Sequence, residues 1–84
     1  MLTYGLAVDK STAKILKRLA RNVVKLRENE GWSQEECAYQ LGIATAYLSR
    51  IERSIVNVTL KNLVKIADGF EMDVSELLAP NLPV

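Results

Sequence analysis

The chain has 84 residues and 49% of them are apolar, enough for one compact domain, too few residues for two independent cores, and too apolar for disorder. One cysteine, Cys37, and no histidine exclude a disulfide framework or a Cys/His zinc site within one chain, which fits a cytoplasmic setting. The net charge of +1 hides a split: up to Arg27, Lys10, Lys14, Lys17, Arg18, Arg21, Lys25 and Arg27 face Asp9 alone, a net of +6, whereas the remainder sets four basic residues against nine acids, a net of −5.

Residues 1–10 contain Gly5 and no clear period, and read as an irregular lead-in with a short extended piece at Leu2 to Tyr4. They lack the basic start and long apolar middle of a signal peptide, and no stretch approaches the run of about 18 apolar residues that a membrane span needs. A domain then occupies residues 11–79, with 80–84 as a tail. From Ser11, a candidate N-cap, Ile15, Leu19, Val23 and Leu26 recur at spacings of four, four and three, predicting a long first helix that stops near Glu30 at Gly31. In "WSQEECAYQLG", Ser33 with Glu36 three residues on matches a capping box, Cys37, Ala38 and Leu41 form one apolar stripe, and Gly42 ends the helix. A third helix from Thr45 to Arg53 follows, with Tyr47, Leu48 and Ile51 apolar.

Thr59 caps a predicted fourth helix with Leu60, Leu63, Val64, Ile66 and Ala67 facing inward and Gly69 at its end. A short fifth helix around Val74 to Leu78, capped by Asp73, precedes "APNLPV", whose two prolines stop any continuation. The expected fold is all-α. Phe70, Met72, Val74, Leu77 and Leu78 exceed what one small core buries, so they are the expected dimer interface.

Gln34 to Arg53 carries the functional signal. Ala38 is small where two steeply crossed helices approach, Gly42 supplies positive φ for the turn, and Cys37, Leu41, Ile43, Leu48 and Ile51 pin the second helix across the first. One face of that second helix stays free, an arrangement that reads as a helix-turn-helix.

With "LRENEGWSQEECA", "YLSRIER" and "TLKNLVKIADGFEMDVSELL" as its signature pieces, the chain from Leu19 to Leu78 resembles the Xre family of Cro/phage-repressor-type helix-turn-helix domains. "IERSIVNVTLKNLVKIA" is similar, within that family, to controller proteins of restriction-modification systems. The resemblance implies a five-helix domain binding a palindromic double-stranded DNA operator as a homodimer and regulating transcription of its own operon, with RNA polymerase a further candidate partner and no cofactor. It places Thr45, Ala46, Tyr47 and Arg50 toward base edges, with Arg50 the candidate for a bidentate guanine contact and Tyr47 open between a phosphate contact and a cover over the helix pair. Gln34, with Ser33, falls at the helix N-terminus where family members bind phosphate, and Ser49, Arg53, Asn57 and Thr59 are implied phosphate contacts.

The resemblance also implies that Glu52 braces the domain through Arg27. Controller-like proteins carry polar or charged groups where Ala44, Thr45 and Val56 stand, so this chain is expected to lean on backbone contacts and DNA shape. Trp32 and Cys37 read as packing residues. An antitoxin or other interaction module that also autoregulates is the alternative, invited by the segment before Leu19. Nothing resembles a catalytic constellation: no His, no nucleophile elbow, no phosphate loop and no metal-ligand cluster.

Overall fold

A computed structural model describes residues 2–3 and 6–82. Five helices follow one another: α1 Lys10–Glu30, α2 Gln34–Leu41, α3 Thr45–Glu52, α4 Leu60–Gly69 and α5 Val74–Leu77. The all-α expectation holds, with one addition ahead of α1. There β1 Leu2–Thr3 pairs antiparallel with β2 Leu6–Ala7, Leu2 opposite Ala7 and Thr3 opposite Leu6. Tyr4, the end of the expected extended piece, lies outside the described residues.

Helix α1 begins two residues earlier than Ser11 as N-cap suggests, because Asp9 is the N-cap and its carboxylate accepts from the Thr12 amide at 2.6 Å. Hydrogen bonding from Thr12 also holds the Asp9 carboxyl below its ordinary pKa. Leu16, Leu19, Val23 and Leu26 are buried at helical spacing. Ile15, one step off that stripe, is 38% exposed, so it does not belong to the core as its spacing suggests. Gly31 closes α1 at φ 73°, its amide reaching the carbonyls of Arg27 and Glu28.

Thr59 caps α4 through the Asn62 amide at 3.2 Å. The apolar residues of α4 span an arc of about 160°, and only the part carrying Leu63, Ile66 and Ala67 meets the core. Leu60 and Val64, expected inside, are 71% and 43% exposed. Gly69 does not end the helix in the left-handed region; that conformation falls on Glu71, at φ 58°. A glycine is needed there because a Cβ would strike the Leu41 side chain and lie 3.2 Å from the Leu41 Cα and 3.3 Å from the Gln40 carbonyl oxygen. The α4 C-terminus thus rests directly on the backbone of α2.

In α5, the Glu76 carboxylate accepts from the Asp73 amide at 3.0 Å, and Leu77 is fully enclosed. The residues after it strap back over α1. Asn22, buried at 1% exposure, donates to the carbonyls of Leu77 at 2.8 Å and Ala79 at 2.9 Å. Those carbonyls lie at a helix end and need donors, which is why an amide side chain is accepted in an apolar interior. Arg18 donates to Leu78 O, Arg21 donates to Pro80 O, and Leu82 inserts into the core. Among the described residues no helix is long and apolar enough to cross a membrane.

Candidate nucleic-acid interface

Helices α2 and α3 are joined by a tight turn that sets their angle. Ser33 caps α2, accepting from the Glu36 amide at 3.1 Å, while Glu36 accepts from the Gln40 side chain instead of completing the reciprocal box. Gly42 ends α2 at φ 69°, and Ile43 N–H reaches back to Ala38 O at 3.0 Å. Cys37 and Ala38 are buried where the helices meet, as the small side chains require. Burial pushes the Cys37 thiol up to about 11, so it is a neutral packing group at physiological pH.

Leu48 and Ile51 hold α3 against the core. Its other faces carry Ala46 and Arg50, both exposed, and Thr45, Tyr47 and Ser49, half-buried. Ala44 at the N-cap position offers no side-chain oxygen, so the first-turn amides of α3 are not capped from there. The Tyr47 ring packs against the core, and its hydroxyl accepts from Asn62 Nδ2 of α4 at 2.9 Å. Acceptance leaves the phenolic O–H free as a donor. Asn62 is a residue that the sequence reading misses, since nothing local ties it to a tyrosine fifteen positions earlier.

Glu52, at the end of α3, gathers three donors. Arg27 Nε reaches Oε2 at 2.8 Å, Arg27 Nη2 reaches Oε1 at 3.2 Å, and Gln34 Nε2 reaches Oε1 at 2.9 Å. Arg27 also donates to Trp32 O at 3.1 Å, and hydrogen bonding to Glu52 raises its pKa above the ordinary guanidinium value. The network ties α1, α2 and α3 together and matches the brace expected from the resemblance. It also orients Gln34 at the start of α2, leaving the side-chain oxygen and one amide hydrogen outside the bond to Glu52.

Among the remaining expected contacts, Ser33 and Thr59 use their oxygens as caps, Arg53 donates to Ser49 O at 3.3 Å, and Asn57 is exposed in the loop before α4. The five residues expected at a dimer surface do not form one exposed patch. Leu77 is fully enclosed in the monomer, because α5 has one inward position and Leu77 fills it. Phe70 stacks on Trp32 with centroids 6.0 Å apart and planes at 21°. Met72, Val74 and Leu78 are half-buried against the core.

Residues 23–77 match the helix-turn-helix family model HTH_3. A hypothetical transcription factor of Neisseria meningitidis serogroup B is 42% identical over 62 residues, which cover 74% of this chain and 58% of that protein, so the match spans little more than half of the relative. The crystal structure of a Neisseria transcription factor of that description, NHTF, superposes with a TM-score of 0.75 at 34% identity, covering 93% of this chain and 91% of that one. The restriction-modification controller protein C.AhdI of Aeromonas hydrophila gives a TM-score of 0.69 at 32% identity, over 74% of this chain and 94% of its own. Antitoxin HipB of Escherichia coli K12 is 33% identical over 64 residues, covering 76% of this chain and 73% of HipB. With these likenesses and the braced α2–α3 unit, the chain belongs to the HTH_3, Xre-type helix-turn-helix family of DNA-binding transcription regulators.

Proposed function

We propose that the protein is a cytoplasmic, homodimeric regulator that reads a palindromic operator and controls its own operon in the manner of a restriction-modification controller. The observation that carries this reading is the outward face of α3, with Arg50 and Ala46 exposed and Thr45 and Tyr47 beside them, presented next to a Gln34 whose orientation is fixed by Glu52. Arg50 takes guanine O6 and N7, Thr45 and Ala46 meet thymine methyls or base edges, and the Tyr47 hydroxyl donates toward the backbone. Ser33, Gln34, Ser49, Arg53, Asn57 and Thr59 surround that face as phosphate contacts. The likeness to C.AhdI supports the controller assignment. RNA polymerase is then the partner through which occupancy changes transcription, and the protein performs no chemistry of its own.

The dimer surface is assigned to the outer side of α4, where Leu60 and Val64 are uncovered, rather than to Leu77. A second reading, an antitoxin that autoregulates, is supported by the likeness to HipB; a stable complex with a neighbouring gene product would favour it. The two roles share the same DNA face. A binding titration separates base readers from positioners: Arg50→Ala should cost about 1–3 kcal/mol and relax preference at one base pair per half-site, while Gln34→Ala weakens all sequences nearly equally. Unchanged affinity and preference in Arg50→Ala would remove α3 from the reading role.

A further inference from the structure

We propose that the outer face of α1 is a second, sequence-independent contact for double-stranded DNA, through which the molecule holds a duplex other than the one in front of α3. Lys10, Lys14, Lys17, Arg21 and Lys25 are all exposed and recur every three or four residues. At 100° per residue they fall within an arc of about 80°, forming a row about 22 Å long. No acid interrupts the row before Glu28. Among the described residues the one ion pair is Arg27–Glu52, so no carboxylate among them neutralises these five charges.

The row lies on the side of α1 opposite Leu16, Leu19, Val23 and Leu26. Helix α3 sits on that buried side: Arg27 grips Glu52 there, and Leu16 O accepts from Ser54 Oγ just past the end of α3. A duplex engaged by α3 is therefore shielded from the row by the width of the domain. Arg21 also donates to Pro80 O, which keeps its guanidinium at the same surface, and shallow clefts run between Lys10, Lys14 and Lys17 and on to Arg21 and Pro80.

The chemistry of the row favours a phosphate backbone over a protein. It carries no aromatic or large aliphatic side chain to anchor a protein interface, and lysine is depleted in such interfaces. Flexible ammonium groups about 4.5–6 Å apart along the axis instead suit a line of phosphates, whose neutralisation releases counterions and needs no shape fit. The proposal rests on the reading that α3 holds the first duplex, and the test separates the two.

An immobilised duplex of about 30 base pairs, three helical turns, is loaded with protein and offered a labelled free duplex at about 50 mM and about 200 mM salt. Wild type should capture the second duplex at low salt and lose it at high salt. Lys14→Glu/Lys17→Glu/Lys25→Glu, checked to melt as wild type, should still bind the first duplex but capture at least tenfold less of the second. The neutral variant Lys14→Gln/Lys17→Gln/Lys25→Gln should lower the dependence of log affinity on log salt by about 2.7, the value for three phosphate contacts. Capture undiminished in the reversal variant, as expected if the row serves an acidic protein, would overturn the proposal, as would absence of capture by wild type. If Gln34→Ala/Arg50→Ala held both duplexes with wild-type salt dependence, the α3 reading would fail and the two-sided arrangement with it.

Discussion

Glu52 fixes the mutual placement of α1, α2 and α3 as a single residue, since two nitrogens of Arg27 and one of Gln34 donate to its carboxylate. The Arg27–Glu52 brace follows from family resemblance, yet Gln34 as third donor, Asn62 on Tyr47 and Asn22 beneath the strap have no local signature, since each bonds a group distant in sequence. Cys37 was legible as a small packing residue because its neighbours set an apolar stripe, and its environment gives a pH prediction. In the fold the thiol stays neutral up to about 11, whereas in the unfolded chain it ionises near its ordinary value of 9.0. The folded state therefore binds the proton more tightly, so this contribution is intact below pH 9 and lost as pH rises toward 11. Cys37→Ala should show a shallower fall of stability across that window than wild type in urea titrations at a series of pH values. An identical fall in both would mean that the thiol is not sequestered.

At the scale of elements, helix number and order were readable because apolar spacing and caps coincide, as at Ser33, Gly42 and Thr59. The faces were harder. Ile15, Leu60 and Val64 sit at helical spacing beside true core positions, and only tertiary packing decides which flank of a wide apolar arc is covered. Gly69 is the last residue of α4, as punctuation rules expect, but its reason is tertiary: the absent side chain lets α4 touch α2. Gly69→Ala should cost about 1–3 kcal/mol through overlap with the α2 backbone. Gly31→Ala should cost about 1–2 kcal/mol by a different route, the left-handed backbone, with open space around it. Thermal melts of both variants check this, and a Gly69→Ala protein as stable as wild type would show that α4 can withdraw freely.

For the whole molecule, the charge split seen along the chain becomes a spatial one. Arg27 is spent inside the brace and Arg18 on the C-terminal strap, so the basic surface that remains is the outer row of α1, behind α3. The face of α3 proposed to read DNA carries little charge beyond Arg50 and Arg53, so the proposed reading leans on backbone contacts and DNA shape. If the proposed dimer forms through the outer side of α4, Leu60→Glu/Val64→Glu should sediment as a monomer at micromolar concentration with its helical content intact, and a persisting dimer would move the interface elsewhere.

Selection of bound duplexes from a random pool tests whether α3 of each protomer reads one half of a palindrome. The expected product is an inverted repeat whose half-sites lie about 34 Å apart, one helical turn, with one base-pair preference per half-site disappearing in Arg50→Ala. A pool that shows no enrichment, or an enriched sequence unchanged by Arg50→Ala, would contradict it.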